Sequence, residues 1–135
     1  MGFFNELFGK KEVPRTGSVY SLECSLHPYR LEANKNTSID LDISVKNRFD
    51  REQLTSIVIV TPKTIGFDQS ALSNQREIRL GDLNPKETRN LKIQVWGTGR
   101  TNRGDYHVAV FAIAHYRDYS YVLNETKKVL DLRVV

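Results

Sequence analysis

Imidazole and thiol chemistry is scarce in this 135-residue chain, which carries three histidines and one cysteine. His107 and His115 share a strand face but stand eight residues apart. At a strand rise of ~3.3 Å per residue that is about 26 Å, too far for one ion. His27 precedes Pro28 and is read as the end of a strand. Cys24 falls in register with Leu22 and Leu26 and reads as a small core hydrophobe, and a lone cysteine cannot form an internal disulfide. Asp40 and Asp42 are neighbours on one strand face, a spacing that suits a solvated polar face better than a cation site. There is no Gly-x-Ser-x-Gly elbow. Gly97-Thr98-Gly99-Arg100 lacks the Gly-Lys-Ser/Thr and the following helix of a phosphate loop. Arg103-Gly104-Asp105 spells an integrin-type tripeptide, but reads as a turn entering a strand. No catalytic residue, metal or cofactor is expected.

Contact chemistry is more plentiful and falls in three groups. The first is the N-terminal stretch, where Phe3, Phe4, Leu7 and Phe8 share one helical face and Lys10 and Lys11 follow. Burying each of those apolar side chains is worth roughly 1.5–3 kcal/mol, so a destination is required. The body of the same chain, a second subunit and a membrane interface are the three candidates; the lysines favour the last. Gly2 invites a myristoylation reading, but Glu6 stands where that motif wants Ser or Thr. The second group is basic: Arg76, Arg79, Lys86, Arg89, Lys92, Arg100 and Arg103 outnumber Glu77, Asp82 and Glu87 by four. That excess equals the whole formal charge of +4. Clustered bases suit phosphate. Only Trp96 lies among them as an aromatic platform, so nucleic acid is the weaker reading. The third group is aromatic: Tyr116, Arg117, Tyr119 and Tyr121, with Arg48, Phe49 and Arg51 in another loop. Tyrosine and arginine bring large area and polar tips at modest entropy cost.

The elements that must position these groups read as strands. Alternation of period two runs through residues 18–26, 37–47, 88–96 and 127–134, each with one apolar and one polar face. Residues 55–61 and 106–116 are apolar on both faces. They are expected to be central strands, or to be covered on the second face by an element such as an N-terminal helix, with Phe111 and Ile113 under that cover. A kinked continuation at 29–33, a strand at 54–61, a short edge strand at 76–80 and a strand at 105–115 complete the set. Turn residues separate them at 34–36, 47–50, 81–85 and 97–104. The expected fold is an all-β, antiparallel, immunoglobulin-like sandwich of about seven strands with a short N-terminal amphipathic helix. The chain divides into that helix at 1–11, a linker at 12–17 containing Pro14 and Gly17, and one sandwich at 18–135. Composition agrees, with 39% apolar and 27% charged residues, and no apolar run approaches a membrane span. No secretion signal is recognisable at residues 1–11, so a cytoplasmic protein is expected and the acceptor-like Asn36-Thr37-Ser38 and Asn124-Glu125-Thr126 are read as chance matches.

Three segments carry a resemblance: Leu83-Asn84-Pro85-Lys86-Glu87-Thr88, the strand with Leu91, Ile93 and Val95, and Gly104-Asp105-Tyr106-His107-Val108-Ala109-Val110. Together they resemble the prokaryotic immunoglobulin-like adhesion and scaffold modules, the CARDB-like domains. Those carry a leucine, proline, acid, Ser/Thr turn before one strand and Gly-x-Tyr at the start of the next. Lys86 stands where such modules usually have Gly. Tyr106 would fit a tyrosine corner, a structural role in which the hydroxyl bonds back to nearby backbone.

The expected function is a non-catalytic interaction or scaffold module. It would bind a protein partner or self-associate as a homo-oligomer, with its N-terminal segment as an attachment to a partner or to a membrane face. The rival is an enzyme or small-ligand binder with a pocket near the tyrosine-rich end. A pocket holding His115, a carboxylate and a bound ligand would favour that rival.

Overall fold

The structure is a computed structural model and describes residues 18–28 and 30–135. The described residues form eight strands and no helix: β1 Tyr20–His27, β2 Arg30–Leu31, β3 Ser38–Asn47, β4 Gln53–Val60, β5 Gln75–Leu83, β6 Thr88–Trp96, β7 Gly104–His115 and β8 Val122–Val134. They stack as two sheets, one in the order β1-β3-β6, the other β2-β8-β7-β4-β5. The expected N-terminal helix lies outside the described residues.

Each half-buried strand turns its apolar set inward. Ile39, Leu41, Ile43 and Val45 of β3 meet Ile57 and Ile59 of β4 and Val108, Val110, Ala112 and Ala114 of β7 in one core. Tyr20 ties the two sheets together. Its hydroxyl lies 2.6 Å from Thr55 Oγ1, and Thr55 spends its own hydrogen on the Gln53 carbonyl at 2.8 Å. Tyr20 is therefore the donor. Burial pushes its pKa up to about 12.

Three sequence expectations need correction. The continuation at 29–33 is a separate strand: β2 leaves the sheet of β1 and pairs in parallel with Arg133 and Val134 of β8, so the sandwich is not wholly antiparallel. The short edge strand at 76–80 runs the nine residues of β5. The last strand starts at Val122, not at 127. Alternation fails there because the ladder with β7 is irregular at Ala114/His115: His115 faces Val122, and Ala114 faces Asn124.

One polar side chain holds the loops at one end. Asn47, fully buried at the end of β3, donates through Nδ2 to the carbonyls of Arg51 (2.8 Å), Leu83 (3.1 Å) and Asn84 (3.2 Å). Its Oδ1 accepts from the Phe49 amide at 2.9 Å. Losing these bonds in a buried site costs about 1–3 kcal/mol per group left unsatisfied. Asn47→Ala is expected to lower unfolding free energy in urea titrations by about 2–4 kcal/mol. Asn47→Asp is expected to cost more, because it turns a second acceptor toward three carbonyl oxygens. Equal stability of the aspartate variant and wild type would refute this account.

Candidate functional site

Alternation sends Ser56, Val58 and Val60 of β4 to the outer face of the five-stranded sheet, together with Ala109, Phe111, Ile113 and His115 of β7. Val58, Phe111 and Ile113 form a second apolar cluster there, flanked by Val60, Ala109 and Val122. At one end of this stripe lies a cavity of about 280 Å³, walled by Ser56, Glu77, Arg79, His115, Tyr119 and Val122 among others.

The cavity is held by directed contacts. His115 Nδ1 lies 3.2 Å from the Tyr121 carbonyl, which can only accept, so the proton is assigned to Nδ1. Nε2 then accepts from Ser56 Oγ at 2.7 Å. The Tyr119 ring meets His115 edge-on at 5.0 Å between centroids, and the Arg79 guanidinium sits 4.6 Å above the Tyr119 ring. Tyr119 is anchored by its hydroxyl, which accepts from the Gly81 amide at 2.9 Å. Gly81, which faces Thr55, stands beside a register shift that leaves Leu80 unmatched, and it takes φ of 77° there. Burial pushes the His115 pKa below the usual imidazole range; the Tyr121 carbonyl opposes it only in part.

A neutral imidazole accepting from a serine hydroxyl is the arrangement of a general base and a nucleophile. Here the serine residue is only 1% exposed. The group behind the imidazole is a backbone carbonyl, and the nearby carboxylate of Glu77 pairs with Arg79 at 3.4 Å. The pair acts as a satisfied polar link between β4 and β7 at the mouth of an apolar stripe.

The other sequence candidates are partly gathered and partly dispersed. Phe3, Phe4, Leu7, Phe8, Lys10 and Lys11 lie outside the described residues. The loops at 48–52 and 116–121 sit at one end, since Leu54 pairs with His115. Tyr116 and Tyr121 are 52% and 57% exposed, Arg117 stacks on Tyr116 at 5.3 Å, and Arg48 and Arg51 are exposed as well. Phe49 packs against the core and Tyr119 walls the cavity, so neither is displayed. Leu123, exposed beside Tyr121, was not singled out by the sequence because it breaks the alternation.

The seven bases do not make one patch. Arg89 pairs with Glu87 at 2.8 Å, Lys92 lies near both Asp40 and Asp42, Lys86 faces Asp50, and Arg79 faces Glu77. Arg100 and Arg103 are in the loop after β6, at the end opposite the turn that holds Lys86. Within that loop the phosphate-loop look-alike uses its own threonines: Thr98 and Arg100 amides donate to Thr101 and Thr98 hydroxyls at 2.8 and 3.1 Å. Lys86 adopts φ of 65° at the position where the resembled modules use glycine. The Tyr106 hydroxyl donates to the Asn102 carbonyl at 2.7 Å, four residues upstream, which is the geometry of a tyrosine corner. Cys24 is partly buried, and burial pushes its thiol up to about 11. Among the described residues no three His, Cys, Asp or Glu side chains converge as a metal site, and no helix is long and apolar enough to cross a membrane.

No protein-family model and no curated protein matches this chain. Solved structures match it in fold. The part of native alpha-2-macroglobulin from Escherichia coli that runs from domain MG7 to the C-terminus aligns with a TM-score of 0.65 and 14% identity, over 90% of this chain and 17% of that one. This chain thus spans a small fraction of that protein. A CARDB domain from Pyrococcus furiosus, solved in complex with di-metal ions, aligns with a TM-score of 0.54 and 16% identity, over 93% of this chain and 95% of that one. A chain of the complex between zinc 2-glycoprotein and prolactin inducible protein from human seminal plasma gives 0.58 and 12%, over 90% and 98%. The chain has the immunoglobulin-like β-sandwich fold, and its likeness to prokaryotic modules of that type extends from the turn residues to the whole architecture.

Because folding lowers the His115 pKa, the unfolded chain takes up the proton more readily. Stability from this group is present above the ordinary imidazole pKa of about 6.5 and is lost as pH falls toward the lowered value. Urea midpoints measured from neutral to mildly acidic pH should therefore fall more steeply for wild type than for His115→Gln. Parallel profiles would refute the assignment.

Proposed function

We propose that this chain is a non-catalytic, cytoplasmic interaction module that contacts a protein partner or a second copy through its loop end. The supporting observation is the display of Tyr116, Tyr121 and Leu123 beside Arg117 at the end of a rigid sandwich. Those side chains lose little entropy on contact and bring both apolar area and polar tips. Asn47 fixes the 48–52 loop next to them, so the surface is preorganised. The immunoglobulin-like neighbours suit a binding scaffold, and one of them comes from a protein–protein complex.

A small-ligand site is the second reading, favoured by the cavity of about 280 Å³ beside His115 and Glu77. Its size suits a ligand smaller than most drug-sized molecules.

The two separate experimentally. A photo-crosslinking residue at Tyr121, compared with one at Lys46 on the other sheet, should yield a protein adduct in cells or a covalent dimer in the purified chain. Tyr116→Ser with Leu123→Ser should reduce that adduct several-fold without changing the urea midpoint. Absence of any adduct at Tyr121, or equal adducts at both positions, would overturn the loop-end reading.

A further inference from the structure

The outer stripe of the five-stranded sheet poses a question of its own, independent of the loop end. Val58, Phe111 and Ile113 are 6%, 2% and 3% exposed. Yet the three-stranded sheet lies against the opposite face, and no described strand crosses this one. The flanks contribute Val60, Ala109 and Val122, and Lys127 Nζ lies 5.5 Å from the Phe111 ring. Side chains at the rim of a flat sheet do not shield a central phenylalanine to that degree. A cover is required.

We propose that residues 3–8 of this chain are that cover, docked in cis along the Val58–Phe111–Ile113 stripe. Four observations select this occupant. Seventeen residues precede Ser18, among them four large apolar side chains at helical spacing. The chain enters the sandwich at the correct end, because the Tyr20 hydroxyl reaches Thr55 Oγ1 and, at 3.5 Å, the Ile113 carbonyl. The reach is sufficient: six linker residues at 12–17 extend to about 20 Å, whereas stacked sheets are ~10 Å apart. The cavity of about 280 Å³ at the near end of the stripe has apolar walls from Val58, Ile113 and Val122, with room for one phenyl ring.

A benzophenone photo-crosslinker in place of Phe4, in the full-length chain, tests this directly. The expected product is an intramolecular cross-link, at monomer mass, mapping to residues 56–60, 109–115 or 122–129. Phe3→Ser with Phe8→Ser should abolish it and lower the melting temperature. Cross-links to a second copy would overturn cis docking in favour of exchange between subunits. Cross-links only to lipid, with vesicles of phosphatidylcholine and phosphatidylserine present, would overturn it in favour of membrane insertion. No cross-link at all would also overturn it. The cross-link with the otherwise unaltered chain decides the matter even if the serine variant fails to fold.

Discussion

Two strands that are apolar on both faces dictate the rest of this molecule. β4 and β7 pair with each other at the centre of the five-stranded sheet, and neither could serve as an edge. Their inner faces are met by β3 and β1 across the core. Their outer edges are shielded by β5 and β8, which alternate with charged residues and can face water. The polar pair beside the apolar stripe on the outer face, Ser56 with His115, satisfies itself and so does not open the stripe to water.

The loop end owes its rigidity to the same economy of polar groups. Asn47 is buried and fully hydrogen-bonded, and it joins the 48–52 loop to the turn between β5 and β6. Gly81 performs a related task nearby. Beside the register shift its amide holds the Tyr119 hydroxyl, and Tyr119 in turn supports His115 and carries Arg79. Of the aromatic residues in the two loops, Tyr119 and Phe49 therefore brace the structure, leaving Tyr116 and Tyr121 as surface.

Period-two alternation made β1, β3, β6 and the later part of β8 legible in the sequence, because half-buried strands write their burial directly into residue order; β4 and β7 were legible instead as unbroken apolar runs. The two-residue β2 was not legible as a sheet-switching strand, since two residues carry no period. The start of β8 was masked by the irregularity at His115, which puts Leu123 out of phase. Tyr106 was readable because its residue type is tied to one backbone geometry, whereas the positive φ of 65° at Lys86 is carried by a residue type that does not announce it. The roles of Ser56 and Asn47 depend on partners 30 or more residues away, and no local spacing encodes them. The basic segment clusters its charges in sequence, while the carboxylates that face Lys86 and Lys92 come from elsewhere in the fold, which no local spacing shows.

The pairing of β2 with β8 joins residues about a hundred positions apart, and β4 with β7 about fifty. During synthesis the ribosome releases β1 through β5 long before the strands that complete their sheets. Until residue 115 has emerged, β4 presents an apolar strand with one side unpaired, the kind of surface that recruits chaperones or like chains. β2 waits longest, because its partners are Arg133 and Val134. Arg133 and Val134 act as a latch on a sandwich otherwise assembled, and removing them would leave β2 without a strand to pair with.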